Sequence, residues 1–325
     1  MRIPRALGAA FAVCSIVAAS LAVPAASAAE PPITVPPASL ASSLACAGNP
    51  AVGPTPVLLV PGTTLTAKIN FNWNYEKKFT AAGRAWCAVT VPDLGMADIQ
   101  VAAEYIVNGI RTLHSRAHRK IAIVGYSQGG MSPRWALKYW PDTRAMVDDM
   151  ISIDGSNHGT LDTIAICALA CAPAIWQQAR GSHFLTALNA GGETFAGISY
   201  SQIYSLEDEI VVPNFGPAAS TALHTGGGQI SNVPVQNVCP LDLADHITMG
   251  TIDPVAYSLV LDALTHTGPA EAARIPKSVC TQLIIPGLDP ASVALGEVQV
   301  GATAGYALAS TPVLLHEPAL AAYAS

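Results

Sequence analysis

An α/β fold with a mostly parallel central sheet flanked by helices is the fold class this 325-residue sequence predicts. Three observations lead there. Short continuous apolar runs recur along the chain, each closed by Pro, Gly or a polar turn, as strands buried on both faces read. Stretches with apolar residues at helical spacing lie between them, and that alternation implies βαβ units. Finally, 51% of residues are hydrophobic and only 12% are charged, enough for a large core and too apolar for a disordered chain.

Taken in order, the first 29 residues stand apart. Arg2 and Arg5 precede the apolar run Ala6 to Val23, and small residues close it at Ala26-Ser27-Ala28-Ala29. This is the order of a secretory signal peptide. A membrane anchor is the competing reading, but Ser15, Ser20 and Pro24 break the run. No later run reads as long and apolar enough to span a bilayer; the longest, Thr163 to Trp176, is too short. Residues 30–54, rich in Pro, Ala and Ser, read as an extended lead-in on the surface. "TPVLLV" (Thr55 to Val60) is a strand ended by Pro61-Gly62, and Ala85 to Val91 is a second. Asp98 to Leu113 carries Val101, Ala102, Tyr105, Ile106, Ile110 and Leu113 at helical spacing. Ile121 to Tyr126 is a strand, Met131 to Tyr139 a helix and Met150 to Ile153 a strand. "SQIYSLE" alternates like a strand, and "VPVQNV" is a further candidate. No internal repeat or linker follows residue 55, so one domain over 30–325 is expected.

Charge and cysteines narrow the function classes. A net charge of −6 makes nucleic acid a poor partner. Of seven cysteines, Cys14 lies in the leader and six remain. In an exported chain these read as disulfides, with fifteen pairings open. No Cys/His cluster has zinc spacing, so no metal site is expected.

Gly125-Tyr126-Ser127-Gln128-Gly129 is a full G-x-S-x-G between a predicted strand and a predicted helix. That context makes the pattern a nucleophile elbow rather than an ordinary glycine turn. A serine hydroxyl needs a histidine to take its proton and a carboxylate to orient the histidine, in the chain order Ser, acid, His. Asp154, Asp162, Asp208, Asp242 and Asp245 are the candidate acids. Asp208 leads because it sits in a polar turn between apolar segments. Asp154 comes second, since "DGSNHG" also reads as a turn with a helix cap at Ser156 or Asn157. His246 and His224 both follow Asp208, and His246 is preferred because a strand candidate precedes its loop. His158 breaks the order, and His114, His118, His183, His266 and His316 read as surface or capping groups. The oxyanion hole calls for two donors. They are expected from the Gln128 N–H and from Pro61-Gly62-Thr63-Thr64, with Thr63 offering an N–H and a hydroxyl.

"LLVPGTT", "YSQGGMSPRWAL", "IWQQARGS", "IYSLEDEIV" and the Asp245-His246 pair after a cysteine, in that order, resemble the Candida antarctica lipase B family from about Thr55 to Cys280. The resemblance implies a secreted α/β-hydrolase fold with a small lid segment. It implies cleavage of triacylglycerols and other esters without a cofactor. It assigns Ser127 as nucleophile, Asp208 as acid, His246 as base, and Thr63 and Gln128 to the oxyanion hole. Gln178 lines the acyl side of the pocket, and Cys46–Cys87 and Cys239–Cys280 are its disulfides. Three departures stand out. Tyr126 replaces a tryptophan that shapes the alcohol side of the substrate pocket. Cys167 and Cys171 are extra; a bridge across four helical residues is strained, so their pairing requires a local irregularity. The family's C-terminal disulfide is missing. The expectation is a secreted, monomeric lipase or carboxylesterase acting on an ester or lipid, with no metal and no nucleic acid partner. A polyester or cutin hydrolase, an acyltransferase and a non-catalytic lipid-binding protein are the rivals. The apolar segment Leu161 to Ile175 reads either as a lipid-facing entrance or as an ordinary buried helix.

Overall fold

A computed structural model describes Met1 and residues 30–325. The expected signal peptide, with Cys14, lies outside the described residues. From the lead-in run α1 (Pro37–Ser42), β1 (Leu44–Ala47), β2 (Val57–Val60), α2 (Ala67–Phe71), α3 (Tyr75–Ala81), β3 (Trp86–Val89), α4 (Ile99–Ala117), β4 (Ile121–Tyr126) and α5 (Gln128–Tyr139). There follow β5 (Val147–Ile153), α6 (Asp162–Ile166), α7 (Pro173–Gln177), α8 (His183–Asn189), β6 (Ser199–Tyr204), β7 (Gln229–Pro234), α9 (His246–Thr251), α10 (Pro254–Thr265) and α11 (Pro290–Ser310).

The strands form one seven-stranded sheet in the order β1-β3-β2-β4-β5-β6-β7. Every pairing is parallel except β1 with β3. Strands β2 and β4 are buried at every position. Their side chains alternate between two cores, as a period of two requires. Val57, Leu59, Ala122 and Val124 join one core with Phe71, Tyr75, Met249 and Leu259 from α2, α3, α9 and α10. Leu58, Val60, Ile121 and Ile123 join the other with Ile106, Ile110, Trp135 and Phe184 from α4, α5 and α8. Helix α4 begins where Asp98 accepts the Gln100 N–H at 2.9 Å and ends at left-handed His118.

Several expectations need correcting. The lead-in is not simply extended: Pro37 opens α1, and β1 pairs antiparallel with β3 so that Cys46 faces Cys87, where the two are bridged. "VPVQNV" is mostly not strand; β7 ends at Pro234, which has no N–H to extend a ladder, and a single 3₁₀ turn follows. Residues His246–Thr265 reach the length and hydropathy of a membrane span, contrary to expectation. They break into two helices around Asp253, and most of their residues are buried in the core. Cys167 and Cys171 are bridged; α6 stops at Ile166, so the pair sits in irregular backbone. The third bridge is Cys239–Cys280. The tail folds back over the body: Glu317 accepts the His183 and Phe184 N–H groups, and Tyr323 packs against Trp135, Tyr139 and Trp140.

Candidate active site

The serine stands at the junction of β4 and α5. Its backbone takes φ 54° and ψ −123°, a strained conformation for a residue with a Cβ, and its N–H donates to Ile153 O at 2.8 Å. The flanking glycines are sterically required. A Cβ on Gly125 would lie 1.8 Å from Gly129 O, and one on Gly129 would lie 2.2 Å from Val60 O. The chain can therefore reverse so tightly only with no side chain at either position. The hydroxyl is left at the C-terminal edge of the sheet, over the first turn of α5.

Two further loops from the same edge meet it. His246 is the first residue of α9, a helix whose start is fixed by Asp245, which accepts the Thr248 N–H at 2.8 Å. The His246 N–H donates to Glu209 at 3.1 Å. Its Nε2 lies 3.0 Å from Ser127 Oγ and its Nδ1 2.9 Å from Asp208 Oδ2. A carboxylate only accepts, so Nδ1 carries the ring hydrogen and Nε2 is free to accept from the serine. Asp208 follows β6; its Oδ1 takes the N–H groups of Ile210 at 2.9 Å and Val211 at 2.8 Å. Its Oδ2 also accepts from Asn214 Nδ2 at 3.2 Å. All three side chains are largely buried, which keeps water from competing for these bonds.

On the other side of Ser127, Gln128 opens α5, so its N–H has no intrahelical acceptor. Thr63 faces it: the Thr63 hydroxyl donates to Gln128 Oε1 at 3.2 Å and accepts from Gln178 Nε2 at 3.0 Å. Gln178 in turn accepts from Ser156 Oγ at 2.8 Å. The turn that presents Thr63 is set by Asn70, whose Oδ1 accepts the Gly62 N–H at 3.1 Å and whose amide donates to Gly250 O on α9. Asn70 thus links the donor loop to the histidine helix.

Tyr126 lies beneath the histidine. Its hydroxyl donates to His246 O at 2.9 Å, and its ring centroid is 5.1 Å from the imidazole. Burial, before any neighbouring charge, holds its phenol well above the ordinary range, so it stays a donor. A Cβ on Gly250 would meet this ring at 2.3 Å, which explains the glycine there.

The remaining candidates fall elsewhere. Asp162 starts α6, Asp245 caps α9, and Asp242 lies in the loop before it. His224 is exposed, 6.1 Å from the His158 ring, and His158 bonds to Glu193 at 2.7 Å. Ser156 and Asn157 cap no helix; Asn157 instead bonds to Arg134, Gln202 and Thr221 in the interior. Asp154 is buried beside Asp208. Asp154, Asp208 and His246 each offer one donor atom within 4.8 Å of the others. Asp208 Oδ2 is already spent on His246 Nδ1, so the set closes on itself rather than around a cation. The sequence reading missed Asn70, Glu209 and Asn214. Each acts through a contact distant in the chain or a bond to backbone, and no motif marks such residues. A cavity of about 490 Å³ opens behind the Cys239–Ala244 loop, but none of Ser127, Asp208 and His246 lines it.

Residues 54–249 match the family described as lipase (class 2). Lipase B of Pseudozyma antarctica is 34% identical over 303 residues, covering 91% of this chain and 86% of that protein. The crystal structure of Aspergillus fumigatus lipase B superposes with a TM-score of 0.84 at 32% identity, covering 91% of this chain and 73% of that one. A Bacillus licheniformis lipase at 15% identity, with a TM-score of 0.52 over 70% of this chain and 54% of its own, shares the fold. With an elbow serine at the edge of an α/β-hydrolase sheet and this similarity along nearly its whole length, the chain belongs to the class 2 lipases, ester-hydrolysing enzymes.

Proposed function

We propose that the protein is a secreted serine lipase or carboxylesterase that cleaves triacylglycerols or other carboxylic esters through an acyl-enzyme on Ser127. The observation that carries this reading is the unbroken chain of hydrogen bonds from Ser127 Oγ through the His246 ring to Asp208. His246 Nε2 takes the hydroxyl proton as Oγ attacks the ester carbonyl. Asp208 holds the ring tautomer and stabilises the imidazolium. The oxyanion is bound by the Gln128 N–H and by the N–H and hydroxyl of Thr63. That hydroxyl first has to turn from Gln128 Oε1 toward the substrate. His246 then gives its proton to the leaving alcohol. Water, deprotonated by the same ring, attacks the acyl carbonyl and frees the acid, and the proton returns to Ser127.

Gln178 and Tyr126 bound the pocket in this reading, Gln178 on the acyl side. Residues 1–29 act as the export signal, and the three disulfides suit an oxidising compartment. The segment after Thr160 faces lipid: Leu161, Ile166 and Leu169 are exposed, and Thr160 is tied to Gln178 and to Ile210 beside Asp208. A chain-length series of p-nitrophenyl esters with tributyrin, run on wild type and Ser127→Ala, tests the assignment. Turnover in wild type with loss in the variant is expected; equal rates in both would overturn it.

A further inference from the structure

The acid side of this site holds one carboxyl more than the proposed mechanism uses. Asp154 directly follows β5 and Asp208 follows β6, the adjacent parallel strand, so the topology sets the two side by side. Asp154 is completely buried. Its Oδ1 accepts the Ser205 N–H at 2.9 Å and Asn214 Nδ2 at 3.2 Å, while its Oδ2 has no hydrogen-bond partner. The same Asn214 amide donates to Asp208 Oδ2 at 3.2 Å, clamping both carboxyls with its two hydrogens.

The groups facing the pair are Tyr126 from β4, Glu209 beside Asp208, His246 at the start of α9 and Asp253 at the start of α10. Among the described residues no Lys or Arg pairs with either carboxyl. Two adjacent buried carboxylates without a full counter-charge do not both ionise. The donors decide which one does. Asp208 takes four, from Ile210, Val211, Asn214 and His246, whereas Asp154 takes two. The negative charge belongs on Asp208 and the proton on the bare oxygen of Asp154.

We propose that Asp154 is a positioning residue of the active site: protonated, it donates its O–H to the Asp208 carboxylate and so fixes the acid that orients His246. This deepens the triad reading and rests on it. Burial, then the charge of Asp208, pushes the Asp154 carboxyl well above its usual range, in line with the geometry. The backbone φ of 44° at Asp154 is one that asparagine also tolerates. Asp154→Asn is therefore a fair replacement, keeping an acceptor for Ser205 and an N–H donor for Asp208 while removing the proton equilibrium.

The test compares wild type, Asp154→Asn and Asp154→Ala. Asp154→Asn is expected to keep kcat/KM for p-nitrophenyl butyrate within about threefold of wild type. Asp154→Ala, which removes the donor, is expected to lose about tenfold or more in kcat with little change in KM. The second readout is stability against pH in the Ser127→Ala background, where no turnover is needed. In wild type the fold holds a proton that the unfolded chain releases above about pH 4, so stability falls as pH rises from there. Asp154→Asn lacks this loss, so its Tm advantage should widen steadily from pH 5 to pH 8. Parallel Tm curves for the two would mean Asp154 is ionised in the fold and would overturn the proposal. So would an Asp154→Asn enzyme as impaired as Asp154→Ala. Because the stability arm is independent of catalysis, failure of the triad reading alone would leave it unchanged.

Discussion

Thr63 carries the sharpest single-residue expectation. Its hydroxyl is held between Gln128 and Gln178, and in the proposed mechanism it turns toward an oxyanion that exists only in the transition state. Thr63→Val keeps the shape and the N–H but deletes that donor. Steady-state kinetics should show kcat down about 10²-fold with KM nearly unchanged; a change confined to KM would place Thr63 in ground-state binding instead. Tyr126 makes a different kind of contribution. It bonds to a backbone carbonyl, not to a reacting atom, so Tyr126→Phe should cost about 1 kcal/mol in urea unfolding and leave the chemical step largely intact. Ser127 was legible in the sequence because the elbow packs its steric demand into five consecutive residues. Asp208 and His246 needed a choice among similar residues, which chain order narrowed but did not settle. Asn214 and Asp154 were illegible in these roles, because a clamp across two strand ends exists only once the sheet has formed.

At the level of elements, the buried strands read most clearly. β4 matched its apolar run residue for residue because both of its faces are covered by helices. Helix α5 begins three residues before its apolar pattern does, since the elbow itself supplies the first turn. β1 was missed because four residues of partly exposed edge strand carry too little pattern to register. The disulfides offer a quantitative test. Cys46–Cys87 and Cys239–Cys280 each join residues 41 apart, and Cys167–Cys171 joins residues 4 apart. Loop-entropy arithmetic gives about 4 kcal/mol for each long closure and about 2 kcal/mol for the short one. Urea unfolding of the paired Cys→Ser variants should follow that order; equal losses for all three would show that local strain, not loop closure, dominates.

For the molecule as a whole, burial has left several acids titrating high. Asp149, Asp253 and Glu76 are pushed up to about 7 by desolvation, with Asp148 adding to Asp149 and Asp242 to Asp253. Each is neutral in the fold below that pH and ionised in the unfolded chain above about pH 4, so stability drains away between these limits. Glu193 works in the opposite sense. Burial alone would raise it, but His158 and the His224 and Thr225 N–H groups hold it at about 2, so its contribution is lost only as pH falls through the unfolded value toward 2. Calorimetry should therefore find Tm highest near pH 5 and declining toward pH 8; a Tm that climbs over that range would contradict this. The proposed lipid contact of the exposed Leu161, Ile166 and Leu169 also belongs to this scale. α11 runs past the site, its Glu297 accepting from Thr251 on the histidine helix and its Ala307 packed on Met96 and Ala172. Leu169→Ser should weaken adsorption to tributyrin droplets while leaving hydrolysis of a soluble acetate ester unchanged. Above all, the fold brings a serine after β4, an aspartate after β6 and a histidine at the start of α9 into one hydrogen-bonded line. Fluorophosphonate labelling read by peptide mass spectrometry tests that convergence most directly. A single adduct on the Ser127 peptide is expected, slowed about 10³-fold or more in His246→Ala; folded, ester-cleaving protein that forms no adduct at Ser127 would contradict it.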